Sequence, residues 1–230
     1  MKAFVVDLDS SKNQIMLKPI ARPFNNQAHQ VNEAAEKIHE LIKNAPYSND
    51  NIVLKRNEIK EAFFSPFKPQ LKNAQVFLSH SHADKNKALK VKGYLEEDLD
   101  AECVFIDSLF WDYKDDVLNK LAEYDDISRI EDAFTLILRE SLEYMIKKCP
   151  YFVFLQSNNS VSDQGLSRNQ DLLKITYSAW IYEELKIAHS ISESRPIPMM
   201  ESMQVFHDIS PFLKSFETIT LKKLSQQINS

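Results

Sequence analysis

The sequence predicts an α/β protein built on a parallel β-sheet covered by helices on both faces. Three observations carry this. Gln75–Ser79, Cys103–Ile106 and Tyr151–Leu155 are short, nearly continuous apolar runs, as expected of strands buried on both sides. Helical patterns lie between them, so the order reads strand, helix, strand. The 230 residues, 43% hydrophobic and 27% charged, fit a globular chain with one domain and an extension, or two small domains.

Taken in order, Phe4-Val5-Val6-Asp7 and Ile15-Met16-Leu17 flank the polar stretch Ser10–Asn13 and predict a short hairpin. Val31, Ala34, Ala35, Ile38, Leu41 and Ile42 recur at helical spacing, giving an amphipathic helix over 28–44 that Pro46 ends. A second helix is expected at 56–64, before Pro66 and Pro69. Residues 1–73 therefore read as a mainly helical N-terminal extension, and 74–230 as the main domain, with its core at 74–210. In that domain helices are expected at Lys85–Asp98, 113–124 and 130–148, the last with a stripe of Ile130, Phe134, Ile137, Leu138, Leu142 and Met145. A polar segment over 156–176 leads to a helix at 178–191; Val205-Phe206 reads as a last strand and 219–228 as a closing helix.

Composition excludes several classes. A net charge of -5 argues against a protein that coats nucleic acid. Cys103 and Cys149 lack metal-ligand spacing and read as buried free thiols. The N-terminal run is too short for a signal peptide, and no apolar stretch approaches the ~20 residues needed to span a bilayer. A cytoplasmic protein with no membrane partner is expected. Only two glycines occur, Gly93 and Gly165. A Walker loop or a dinucleotide-binding glycine turn needs more, so any nucleotide must be held by another design.

The helix that starts at Ser178 carries an oddly placed acid. At roughly 100° per residue, Trp180, Ile181, Glu184, Leu185, Ala188 and Ile191 fall within one arc of about 140°. Glu184 thus lies on the apolar face, where a carboxylate is costly without a partner. Glu183, Lys186 and Ser190 are expected to point the other way, which makes Glu183 the solvent-facing control. In parallel sheets, ligands bind at the carboxyl ends of strands. That rule puts Ser79–Asp84, Asp107–Trp111 and Gln156–Ser160 on one rim with the start of this helix.

Ser79-His80-Ser81-His82-Ala83-Asp84, leaving a strand and entering a helix, admits three readings. As H-x-H-x-D it is similar to the metal-binding run of the metallo-β-lactamase fold, with Lys85 where a further histidine stands there; His189 and His207 downstream, or His29 and His39 upstream, would have to complete a zinc site. It can equally be a phosphate- or ribose-facing loop using backbone N–H groups and the Ser79 and Ser81 hydroxyls. Or it simply caps the helix. Asp107, Asp112, Asp115 and Asp116 read as a solvated helix start.

Val76–Asp84 resembles the first box of Toll/interleukin-1 receptor (TIR) domains, especially bacterial ones. Val104-Phe105-Ile106-Asp107 resembles their second strand and the loop after it, and Tyr151–Ser160 the strand that ends in a serine- and asparagine-rich loop. Ser178–Leu185 is similar to the W-x-x-x-E helix of NAD+-cleaving members. The resemblance covers about 74–210 and implies a flavodoxin-like TIR fold that cleaves the nicotinamide–ribose bond of NAD+, as hydrolase or cyclase, in antiphage defence or signalling. It places the catalytic glutamate on Glu184. Ser79, His80, Ser81, Asp107, Trp111, Ser157 and Trp180 form the expected substrate-binding set. Phe110, Trp111 and Tyr113 fall where family members have a mobile loop, which would close over nicotinamide or pack between subunits. NAD+ is then substrate, and neither a resident cofactor nor a metal is expected. Homo-oligomerisation through TIR–TIR contacts and an effector that responds to the product are the implied partners. The competing expectations are a non-catalytic TIR interaction module and a zinc hydrolase using His80, His82 and Asp84.

Overall fold

A computed structural model describes residues 1–17, 28–45, 47–48, 51–52, 55–65, 72–99, 104–124, 126, 131–164, 173–193 and 207–229. In chain order the elements are β1 (Lys2–Asp7), α1 (Ser11–Gln14), α2 (Ala28–Lys43), β2 (Tyr47–Ser48), β3 (Asn51–Ile52), α3 (Arg56–Phe64) and β4 (Val76–His80). A 3-10 turn at His82–Asp84 leads into α4 (Lys85–Leu99), then β5 (Val104–Ile106), α5 (Asp107–Leu121), α6 (Glu131–Lys148) and β6 (Tyr151–Gln156). The chain closes with β7 (Ser162–Gln164), β8 (Leu173–Thr176), α7 (Ala179–Ser192), β9 (His207–Asp208), α8 (Ser210–Ser215), β10 (Glu217–Thr218) and α9 (Leu221–Ile228).

These elements form two compact units. The first comprises Met1–Ala21, Asn73–Ser108 and Glu143–Ser230; the second Arg22–Lys72 and Leu109–Leu142. The first unit holds a five-stranded parallel sheet in the order β10-β1-β6-β4-β5. Strands β1, β4, β5 and β6 are mainly apolar on both faces because both faces are covered, whereas the edge strand β10 is polar and exposed. On one face the register sets Phe77 opposite both Phe105 and Phe152, and the three rings stack with centroids 5.7 and 5.8 Å apart. Phe216 packs against Phe152 with its ring tilted by 59°. Val76, Leu78, Val153 and Leu155, on the alternate face, are equally buried. Helix α7 packs against β1 and β4, and α9 against α4.

Read from β5, the order β5-β4-β6-β1-β10 is the flavodoxin-like 2-1-3-4-5 arrangement with β4 counted first. The fourth place is filled by the N-terminal strand. This corrects the expected division at residue 73, and with it the reading of 1–73 as an extension and of 74–230 as one continuous domain. β1 pairs with β6 over six residues, from Lys2 opposite Tyr151 to Asp7 opposite Gln156, and lies inside the sheet. The Phe4-Val5-Val6 run is buried on both sides, like β4, β5 and β6; only the apolar triplet that follows it gives it the pattern of a hairpin. That triplet makes no strand: Ser11–Gln14 is a helical turn, and Ile15 is 82% exposed.

The polar segment 156–176 contains two strands that composition did not reveal. β7 and β8 pair antiparallel, and β9 joins them, with Ile175 opposite Asp208. Val205-Phe206 lies outside the described residues, and the strand that is described begins at His207. The remaining expected helices and strands of the sheet form within one or a few residues of their expected ends, except α5, which starts at Asp107 directly after β5.

Among the described residues the elements of the second unit are helices, apart from the β2–β3 pair. Helix α2 packs on α3. Phe63 sits at its centre, its ring in contact with Phe64, Tyr113 and Phe134. The Tyr113 hydroxyl donates to the Phe63 carbonyl at 3.1 Å, and burial, then the Glu33 carboxylate, pushes its pKa up. Tyr113 is thus a core residue on a helix, which corrects the expectation of a mobile loop there. Among the described residues no helix is long and apolar enough to cross a membrane.

Candidate functional site

Ser178 starts α7 as expected, its Oγ accepting the Ile181 N–H at 3.3 Å. The helix is buried far more widely than a single apolar arc. Ile181, Glu183–Ala188 and Ser190 are all enclosed. Glu184 is completely buried and accepts a hydrogen bond from the Ser79 hydroxyl at 2.6 Å. Strand alternation explains the meeting. Ser79 follows Phe77 by two residues, so it shares the face of β4 on which the phenylalanine stack lies.

Glu183 corrects the sequence reading. It is 1% exposed and pairs with Lys186 at 3.0 Å, one helical turn on, instead of facing solvent. The Lys186 ammonium also lies 5.4 Å from the centre of the Tyr182 ring, which stacks on His207 at 4.4 Å. This side of α7 meets α8 and the three-stranded sheet, so the helix has two covered sides and no broad solvent face.

The chain leaves β4 toward β5 on one side, while β6 lies on β4's other side. The strand order reverses at this pair, the place where parallel sheets form ligand crevices. A network of polar groups centred on the buried Asp84, Ser157 and Ser160 closes the carboxyl ends of β4, β6 and β1. Asp84, 1% exposed, accepts the Ser157 hydroxyl on one oxygen and the Asn159 side-chain amide, at 2.9 Å, on the other. The Asn159 backbone N–H donates to Ser157 Oγ at 3.0 Å, and the Ser157 N–H to Ser160 Oγ at 2.8 Å. Lys87, in the first turn of α4, reaches Asp84 at 3.4 Å and Asp9 at 3.0 Å. Asp9 also accepts the Asn158 N–H at 2.9 Å.

The Asn158 N–H, then Lys87, holds the Asp9 carboxyl below its ordinary value of 3.8, and Asp9 in turn raises the Lys87 ammonium. A lowered carboxylate stabilises the fold above its unfolded pKa and loses that contribution as pH falls through the folded one. The tie between β1 and the β6 turn should therefore persist at pH 4 and release only below it. An NMR titration of the Asp9 carboxyl is expected to give a midpoint under 3.8, and Lys87→Met should raise it partway. A midpoint at or above the ordinary value in the intact protein would contradict this tie.

The remaining expected site residues fall as follows. His80 is buried on the face of β4 opposite Ser79. Ser81 is half-buried, and its carbonyl accepts the Asp84 N–H. Trp180 is half-exposed in the first turn of α7, not buried as the helix arc implied. Ser157 is on the rim, but its hydroxyl is spent on Asp84 and Asn159, so it supports the loop instead of facing a ligand. Asp107 and Trp111 are in α5, and their side chains lie outside the described residues.

The zinc arrangement does not assemble. His82 is exposed, Asp84 is engaged with Ser157 and Asn159, His189 bonds Ser215 through Nδ1 at 2.8 Å, and His207 stacks on Tyr182. Among the described residues no three His, Cys, Asp or Glu side chains are grouped to hold a metal. Cys149 is buried and in no disulfide, and Cys103 lies outside the described residues. Asp9, Lys87 and Asn159 escaped the sequence reading because their partners are remote in the chain; only the polarity of 156–160 marked the place.

No protein-family model, curated protein or solved structure matches the chain. What fold and site define is a flavodoxin-like α/β protein with an enclosed carboxylate beside the point where its strand order reverses.

Proposed function

We propose that this protein cleaves the nicotinamide–ribose bond of NAD+, with Glu184 as the catalytic carboxylate. The observation that carries the reading is the hydrogen bond from Ser79, near the end of β4, which fixes Glu184 beside the β4–β6 switch point. The chemistry asks for little else. As the C–N bond breaks, its electron pair goes to the pyridinium nitrogen and nicotinamide departs neutral, so no general acid is required. Positive charge develops on the ribose, and a preorganised carboxylate in a low-dielectric setting stabilises it. Water then adds at the anomeric carbon and loses a proton, giving ADP-ribose; an adenine nitrogen of the same molecule instead gives a cyclic product. With this reading go a TIR-like role in defence or signalling, a cytoplasmic setting, self-association and an effector that responds to the product.

A second reading has its own observation. Complete enclosure of Glu184 suits a structural acceptor for Ser79, and hence a non-catalytic interaction module. Incubating the purified protein with NAD+ and measuring free nicotinamide separates the two. Release that scales with protein is expected; none at concentrations where the protein self-associates would favour the module.

A further inference from the structure

The turn after β6 displays one polar group with a fixed orientation. Asn159 is exposed, yet its side-chain amide is not free to choose which end faces inward. A carboxylate only accepts hydrogen bonds, so the atom directed at Asp84 must be the amide nitrogen, Nδ2, which donates to it at 2.9 Å. Asp84 is itself held by the Ser157 hydroxyl on its other oxygen and by Lys87 at 3.4 Å. The neighbouring Asn158 N–H is tied to Asp9, and the Asn159 N–H to Ser157 Oγ, so the backbone of the turn is fixed on both sides. With the nitrogen committed inward, Oδ1 is presented as an acceptor at the exposed edge. Among the described residues it has no hydrogen bond within the protein.

From this geometry we infer that Asn159 is a specificity-determining residue of the site and takes a neutral hydrogen-bond donor of the ligand. The inference rests on the NAD+ reading given above and sharpens it. Asn159 and Ser79, the partner of Glu184, stand at the carboxyl ends of the paired strands β6 and β4. A dinucleotide bound along that edge carries two neutral amino groups: the nicotinamide carboxamide and the adenine 6-amino group. Either suits a carbonyl oxygen; the phosphates, being acceptors, do not. Asp84 is the positioning residue, since replacing it by an amide would let Asn159 turn over and present nitrogen.

The test measures binding and turnover separately. Dissociation constants are determined by calorimetry in a Glu184→Gln background, with and without Asn159→Ala, for NAD+, its 3-acetylpyridine analogue (no carboxamide N–H) and its hypoxanthine analogue (no 6-amino group). Nicotinamide release is followed in proteins with Glu184 intact. Asn159→Ala should weaken NAD+ binding about three- to tenfold, the range of one neutral hydrogen bond. It should leave unchanged the binding of whichever analogue lacks the donor, with thermal melting lowered modestly because the buried Asp84 loses one of its hydrogen bonds. Asp84→Asn should reduce the same discrimination. If the parent cleaves NAD+ and Asn159→Ala binds all three dinucleotides as before, the inference is overturned and the function stands. If nothing is cleaved but binding depends selectively on Asn159, the function is overturned and the inference stands. If no dinucleotide binds, both are overturned.

Discussion

Glu184→Gln is expected to lower nicotinamide release from NAD+ by about 10²–10³-fold, with little change in KM and a folded, cooperatively melting protein. The substitution keeps the shape of the side chain and an oxygen that can still accept from Ser79, at 2.6 Å in the native protein. Only the negative charge is removed, and that charge matters chiefly when the ribose becomes cationic. A change confined to kcat is the mark of an interaction made in the transition state. Ser79→Ala separates position from charge: the carboxylate stays but loses its orienting hydroxyl. Loss of that buried hydrogen bond should cost about 1–3 kcal/mol of stability and reduce turnover less than Glu184→Gln. Unchanged turnover in Glu184→Gln would remove Glu184 from the mechanism.

Lys186→Met is expected to destabilise the protein by about 3–5 kcal/mol, read by urea denaturation. Glu183 and Lys186 are both nearly inaccessible and meet at 3.0 Å, so deleting the ammonium leaves the Glu183 carboxylate buried without its cation. The double variant Glu183→Leu/Lys186→Met should recover most of the loss, since apolar groups of similar volume commonly replace a buried pair at little cost. A single variant within about 0.5 kcal/mol of the parent, the range typical of surface changes, would mean that this side of α7 is open to solvent after all.

The two experiments bear on one misreading that explains much of what the sequence concealed. A helical wheel finds the broad apolar arc and assigns its opposite side to water. On α7 it placed Glu184 correctly on a buried face, because Ile181, Leu185 and Ala188 flank it where the helix does pack against the sheet. It missed Glu183 because a second layer, from β8, β9 and α8, covers the other side. Those strands are two to four residues long and rich in polar residues, too short to show a period.

Local pattern alone determined most elements of this protein: the Phe-rich strands β4, β5 and β6, the long helices, the Ser178 cap and the candidacy of Glu184. Each depends on residues a few positions apart, where spacing and apolar runs carry the signal. Only the tertiary structure decided that Phe4-Val5-Val6 completes the sheet between β6 and β10, which fixes the strand order and hence the crevice. Likewise only the fold joined Ser79 to Glu184, Asp84 to Ser157 and Asn159, and Asp9 to Asn158. These hydrogen bonds unite residues separated by 73 to 149 positions, and β1 pairs with strands at least as remote in the chain; no local pattern records which distant partner a strand or a carboxylate will meet.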